Sequence, residues 1–278
     1  MPRPPLAARI ALYCVVAAVL GFLVLPILAI VPSAFSDVSY LRIPPQSYST
    51  RWFAVFFDDP EWRSSLWTSI QIATSATILA VILGTLAALG LDRLSEPWKT
   101  LGTGLFLAPM IVPVIVTAVA LYFLGQQLGL VGTKLGMAAG HTLLCLPFVV
   151  INVAIALRSI DADWLRAAQG LGAGGPTIFR TIILPNIMPG ILGGTVFSFI
   201  TSFDEVVVSI FLAGYGAKTL PVKMWETIRL EFTPVVAVAA LFMIMLTVLP
   251  FVLTRVLHFN WKTLIAGVLK VRRHRRRP

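Results

Sequence analysis

Residues 158–185, RSIDADWLRAAQGLGAGGPTIFRTIILP, form a polar and glycine-rich stretch between two long apolar runs. The pattern predicts a helix, a glycine break and a second short helix, which Pro176 is well placed to open. Trp164, Ala168 and Leu171 share one helical face at i, i+4 and i+7. Because such a stretch cannot lie in hydrocarbon, we expect it to protrude from a membrane domain as a docking element. An ordinary loop with two helical turns is the alternative interpretation.

The composition of the chain is not that of a soluble domain. Of its 278 residues, 58% are hydrophobic and 12% are charged, and the mean hydropathy is +0.88. A soluble domain carries roughly 25% charged residues. Backbone polar groups in lipid must be satisfied internally, and the apolar runs here are continuous rather than alternating. The predicted fold class is therefore an all-α integral membrane protein.

Six apolar runs are long enough to cross a membrane as helices, since a crossing needs roughly 20 residues. They cover residues 10–31, 66–91, 101–124, 134–157, 187–213 and 234–257. They predict one transmembrane domain over residues 10–257, between an N-terminal tail (1–9) and a basic C-terminal tail (258–278). The first run is too long for a cleavable signal peptide, whose apolar core has roughly 7–15 residues. In the polar stretch after that run, residues 52–57 are predicted to form a short amphipathic helix.

The net charge of +10 arises from basic residues at the ends of the runs, which does not indicate nucleic-acid binding. No acidic residue follows Glu231, and the tail from Lys262 onward is rich in arginine. Such residues favour a cytoplasmic anchor. Six crossings then place both termini and residues 158–185 in the cytoplasm, and residues 33–65 and 214–232 outside.

Two adjacent acids, Asp204 and Glu205, lie inside the fifth apolar run, in FSFITSFDEVVVSIFLAG. Acids at membrane depth cost several kcal/mol and therefore indicate function. Adjacent residues of a helix point roughly 100° apart, so we expect one acid to line a pathway and the other to pair with a neighbour. Together with Ser202 and Ser209, these acids are the predicted substrate pathway. A purely structural role, in which they hold the bundle by hydrogen bonds, is the alternative.

The sequence gives no sign of catalytic or metal chemistry. Cys14 and Cys145 lie inside apolar runs and are interpreted as packing residues. The histidines His141, His258 and His274 have no metal-ligand spacing, and His141 and His258 lie on different runs with no clear partner. We therefore predict no catalytic residue and no metal site, and that the chain is not an enzyme.

The stretch 158–185 resembles the EAA loop of the membrane subunits of ATP-binding-cassette (ABC) importers. The family pattern is Glu-Ala-Ala, three residues, Gly, and later Ile-x-Leu-Pro, and it is matched by Ala167, Ala168, Gly172, Ala173, Phe179, Ile182, Leu184 and Pro185. Arg166 stands where the family has its acid, so a charged contact at that position must differ here. The resemblance implies that the chain couples to an ATPase through Arg166, Ala167, Ala168, Leu171, Gly172, Ala173, Leu184 and Pro185.

The resemblance also implies a complete importer around this chain. It would be a six-helix permease with a cytoplasmic coupling helix in a bacterial inner membrane. It would need no cofactor of its own, because ATP would be bound by two separate ATPase subunits. A second, homologous permease subunit and a periplasmic solute-binding protein would complete the assembly. The alternative is a stand-alone secondary transporter or channel, for which an inverted repeat with matching broken spans is typical.

Three short sequence segments are similar to the spermidine/putrescine branch of these permeases: residues 202–205, 211–214 and 219–222. This likeness implies a polyamine-like or other small organic solute of cationic character. Related permeases with the same segments carry other organic solutes, so the exact solute stays open at this point. It also stays open whether the second permease subunit is an identical copy.

Overall fold

The structure is a computed structural model that describes residues 5–40, 43–231 and 233–253. These residues are almost entirely helical, as expected for apolar runs whose backbone groups must bond within their own segment. The helices are α1 (Leu6–Ser33), α2 (Arg51–Asp58), α3 (Pro60–Asp92), α4 (Trp98–Ile111), α5 (Val114–Gln127), α6 (Lys134–Arg158), α7 (Ala162–Gly170), α8 (Gly175–Ile178), α9 (Leu184–Phe203), α10 (Val207–Leu212), α11 (Leu220–Leu230) and α12 (Val235–Leu253). A π-helical turn, Phe179–Ile183, joins α8 to α9.

Five helices in the described residues are long and apolar enough to cross a membrane. They are Ala8–Ser33, Pro60–Asp92, Lys134–Arg158, Gly175–Phe203 and Val235–Leu253. The pair α4 and α5 makes a sixth crossing if its two halves count as one span. The all-helical membrane fold predicted from composition is confirmed.

The third predicted crossing is bent. Residues 101–124 were expected to form one helix, but α4 and α5 meet at an angle of 101°. Pro113 precedes α5, and Val112 before it adopts an extended backbone with φ −71° and ψ 132°. The cause is steric, because a proline ring disfavours the helical conformation of the residue before it.

The fifth predicted crossing begins earlier and ends earlier than expected. One helical run extends from Gly175 to Phe203 and passes through Pro185 without a break. Pro185 falls in the first turn of α9, directly after the π-helical turn, where the missing N–H is tolerated. The helix then stops before Asp204 and resumes as α10. Residues 187–213 are therefore not one helix.

The predicted boundaries of the tails stay predictions. Helix α1 already begins at Leu6, inside the predicted N-terminal tail of residues 1–9. Residues 254–257 of the sixth predicted crossing and the C-terminal tail, 258–278, lie outside the described residues.

The described chain divides into two compact units, of which the first comprises Met1–Arg63 and Lys223–Ile244. Its core is aromatic: the ring of Phe56, fully buried on α2, lies 5.1 Å from that of Phe242 and 5.6 Å from that of Trp62. Trp52 donates its indole N–H to the carbonyl of Val38 at 3.2 Å. These contacts confirm the short helix predicted near residues 52–57 and attach it to the unit by its apolar face.

The second unit comprises Ser64–Val222 and Met245–Pro278, and within it α6 packs closely against α9. Glycines make this approach possible. A Cβ at Gly190 would lie 2.5 Å from the carbonyl oxygen of Asn152, and one at Gly194 would lie 2.9 Å from the Cα of Val149. Small residues at such crossings let two backbones approach in a membrane, where no hydrophobic force drives helices together. The two helices run antiparallel, so the C-terminal end of α9 lies against the N-terminal half of α6.

Candidate coupling and solute-pathway sites

The residues 158–185, called the coupling segment below, are built around the capped helix α7. The carboxylate of Asp161 accepts a hydrogen bond from the backbone N–H of Asp163 at 2.9 Å and caps the first turn. At the other end Gly172 has φ +79°, a conformation that glycine adopts without strain. The N–H groups of Gly172 and Ala173 bond back to the carbonyls of Gln169 (2.9 Å) and Ala168 (3.0 Å), which is a Schellman motif. The sequence pattern of helix, glycine break and helix matches this geometry.

Helix α7 has no buried residue. Trp164 is 54% exposed and Leu171 is 88% exposed, although both are large and apolar. Single exposed apolar residues are common, but two on the face of one short amphipathic helix form a surface suited to a partner. Arg166 forms an exposed ion pair with Asp163 within the same helix.

The eight predicted coupling residues fall into two groups. Six of them, from Arg166 to Ala173, lie on α7 or its C-terminal cap. Leu184 and Pro185 instead lie in the first turn of α9, where Leu184 packs against a buried cluster that includes Val149 and Ile187. The first group is exposed or partly exposed, and Leu184 of the second group packs against the membrane helices. The role of both groups in coupling stays a prediction.

A cavity of about 190 Å³ lies next to the start of the coupling segment, between the ends of α3, α4 and α6. Its charged lining consists of Asp92, Lys99 and Arg158. Asp92 and Lys99 form an ion pair at 3.1 Å. The cavity wall therefore carries one ion pair and the additional positive charge of Arg158, which is the last residue of α6 before the coupling segment.

The second candidate site is the break between α9 and α10, residues 204–206, called the acidic break below. The carboxylate of Glu205 accepts a hydrogen bond from the backbone N–H of Val208 at 2.8 Å, in the first turn of α10. A carboxylate at a helix N-terminus satisfies a free N–H and complements the helix dipole. Asp204 is exposed. The prediction that the two acids point 100° apart on one helix is wrong, because the helix is interrupted where they occur.

Unlike Asp204, the residues Ser202 and Ser209 are not exposed. Both hydroxyls are buried and lie against His141 of α6: Ser202 Oγ is 2.8 Å from Nδ1, and Ser209 Oγ is 3.0 Å from Nε2. Their assignment to the solute pathway stays a prediction, and their observed contacts are with another helix.

His141 is the residue that sequence reasoning missed. The expectation that it has no clear partner is wrong, since it bonds two side chains at once. Those partners are 61 and 68 residues away in the chain, so no local spacing could reveal them. The signal in the sequence was a histidine inside an apolar run, because an imidazole that becomes buried there needs hydrogen-bond partners.

The described residues thus form apolar membrane helices, with an exposed, capped helix between two of them and a break beside two acids at the end of the second. The chain belongs to the family described as "Binding-protein-dependent transport system inner membrane component", whose profile matches residues 80–262. It is therefore a permease subunit of the ABC importer class, an inner-membrane transport component and not an enzyme. The alternative of a stand-alone secondary transporter or channel is excluded by this membership.

Two curated relatives carry names from one branch of the family. The spermidine/putrescine transport system permease protein PotC of Escherichia coli (strain K12) is 32% identical over 230 residues, covering 83% of this chain and 87% of the relative. The putrescine transport system permease protein PotI of the same strain is 30% identical over 220 residues, covering 77% and 78%.

A solved structure shares the fold. It is a bacterial alginate ABC transporter in complex with an alginate pentasaccharide-bound periplasmic protein, with a TM-score of 0.69 and 15% identity over 89% of this chain and 92% of that one. At this level of identity the likeness concerns the architecture of the helices alone.

Proposed function

We propose that this chain forms the translocation pathway of an ATP-driven importer for a small cationic solute of the polyamine type, and that Asp204 faces that solute. The observation that carries the proposal is an exposed carboxylate in a break of a membrane-spanning helix. The names of PotC and PotI, relatives of at least 30% identity over most of this chain, support the solute class.

The chemistry of the acidic break suits a cation. The attraction between a carboxylate and an ammonium group at 4 Å rises from about 1 kcal/mol in water to about 4 kcal/mol near a protein surface. Glu205 is engaged by the backbone of α10, so Asp204 is the acid available for the solute.

The coupling segment supplies the contact with the ATPase in this proposal. Trp164 and Leu171 provide an apolar surface, and Arg166 is already paired with Asp163, so its charge is compensated within α7. At the position of Arg166 the family has an acid. In this chain the contact with the ATPase would instead depend on the shape of α7 and on the apolar surface of Trp164 and Leu171. Two ATPase subunits bind the ATP, the chain itself needs no cofactor, and a second permease subunit and a periplasmic solute-binding protein complete the importer.

The test uses the complete importer, reconstituted in proteoliposomes with its cognate binding protein and ATPase. Uptake of radiolabelled spermidine and putrescine is compared for the wild type, Asp204→Asn and Asp58→Asn. Asp58 is an exposed acid at the end of α2, so its variant is a matched control for the loss of one charge. We expect Asp204→Asn to lower uptake about tenfold at equal complex yield, and the control to leave it unchanged.

Two results would contradict different parts of the proposal. Wild-type importer that takes up neither polyamine nor any other amine refutes the solute class. Uptake by Asp204→Asn equal to that of the wild type refutes the role of the carboxylate.

A further inference from the structure

A chain of buried hydrogen bonds connects α6 to both sides of the acidic break. His141 is fully buried and contacts Ser202, in the last turn of α9, and Ser209, in the first turns of α10. Ser209 in turn donates its hydroxyl proton to the backbone carbonyl of Glu205 at 2.9 Å. One imidazole thus bridges the two helices that the break separates.

The proton positions in this chain follow from the inventory of donors. A serine hydroxyl has one proton, and the proton of Ser209 is used by the carbonyl of Glu205. Ser209 Oγ must therefore accept from Nε2–H of His141, and a neutral imidazole then offers Nδ1 as an acceptor. Ser202 supplies the proton for Nδ1. The hydrogen bonds run in one direction, from Ser202 through His141 and Ser209 to Glu205.

Two other polar side chains of α6 bond within their own helix. Thr142, which is buried, donates to the carbonyl of Ala138 at 2.6 Å, and Asn152, which is partly buried, donates to the carbonyl of Phe148 at 2.8 Å. The ring of His141 instead uses one nitrogen to contact α9 and the other to contact α10. A residue that only filled space in α6 would not need two directional contacts on opposite sides of a break.

We propose that His141 is a positioning residue of the solute pathway: its two hydrogen bonds hold α9 and α10 apart at a fixed spacing and so set the direction of the Asp204 carboxylate. The proposal rests on the proposed function in one respect, that the solute meets Asp204. Its geometric part, the control of the break by His141, does not depend on the identity of the solute.

The transport test compares His141→Leu, which removes both hydrogen bonds, with His141→Gln, whose amide can accept from Ser202 and donate to Ser209. Thr142→Val is the matched control, because it removes a buried hydroxyl from the next position of α6. We expect His141→Leu to raise the KM for uptake about tenfold with little change in maximal rate or complex yield. His141→Gln should return the KM to within about threefold of the wild type, and Thr142→Val should leave it unchanged.

A second measurement needs no solute. In a Cys14→Ser background, Asp204→Cys provides a thiol at the break, and Cys145 is buried. The rate of its modification by a small methanethiosulfonate reagent reports the geometry of the break. We expect His141→Leu to change that rate about tenfold or more, and His141→Gln to leave it near the value of the parent.

The two measurements separate the failure of this inference from that of the proposed function. An altered modification rate with unchanged uptake keeps the control of the break by His141 but overturns its role in the solute pathway, whereas the role of Asp204 is decided separately by the uptake of Asp204→Asn. An unaltered modification rate overturns the inference, whatever the uptake. So does a loss of maximal rate or complex yield at constant KM, or a His141→Gln variant as impaired as His141→Leu.

Discussion

Asp204 and Glu205 are neighbours of the same chemical type with different surroundings. Glu205 reaches forward by three residues to the N–H of Val208, whereas Asp204 is exposed. The longer side chain is the one that caps α10, which frees the shorter one for other contacts. Substitutions can therefore test the charge of Asp204 separately from the hydrogen bond of Glu205.

Glu205→Gln should be far milder than Asp204→Asn. The amide oxygen of glutamine still accepts from Val208, so uptake should stay within about twofold of the wild type, whereas Glu205→Leu loses the cap at a cost of about 1 kcal/mol. Thermal unfolding of the purified complex measures the second effect, and uptake measures the first. If Glu205→Gln lowers uptake as much as Asp204→Asn does, the charge of Glu205 itself contributes to binding of the solute.

The elements show which parts of the fold local sequence encodes. The caps of α7 are local, because Asp161 and Gly172 act within a few residues, and so this helix was predictable. The bend at Pro113 was not, since Pro109 lies inside α4 without ending it. Two prolines four residues apart therefore have different outcomes: the residue before Pro113 is extended, whereas the helix continues through Pro109.

Gly172→Pro tests the coupling segment at this scale. Proline cannot adopt φ +79°, and it removes the N–H that bonds Gln169, so the C-terminal cap of α7 is lost. We expect ATP-driven uptake to fall more than about tenfold while the chain still inserts and the ATPase remains active. Gly172→Asn is the control, because asparagine tolerates the left-handed region and should keep most of the uptake. Wild-type uptake by the proline variant would refute the docking role of α7.

For the whole molecule, hydropathy predicted the class of fold, and the family pattern predicted the class of transport subunit. Of the six predicted crossings, the third is bent and the fifth begins and ends earlier than expected. The hydrogen bonds of His141 could not be predicted from the sequence, because they join residues that come together only when the helices pack. Asp204 and Glu205 were predicted to be functional because an acid is costly inside a membrane. Their different contacts could not be predicted, because these depend on where α9 ends. Orientation in the membrane rests on the distribution of basic residues alone.

Thiol labelling tests that orientation. In a Cys14→Ser background, Gln169→Cys provides an exposed thiol on α7, while the remaining Cys145 is buried. We expect a membrane-impermeant maleimide to modify it in inside-out vesicles and not in intact cells, because the basic ends of the chain favour the cytoplasm. Labelling of intact cells would place α7 on the opposite side and would remove the proposed contact with a cytoplasmic ATPase.

The helical run from Gly175 to Phe203 spans 29 residues, about 44 Å of axis, and ends one residue before Asp204. Its first turn follows the cap of α7 directly. If an ATPase displaces the cap of α7, as the proposed function requires, that displacement would be carried toward the carboxylate along one continuous helix. In the proposed function, movement of the coupling segment and a change at the solute carboxylate would then be linked through this single helix.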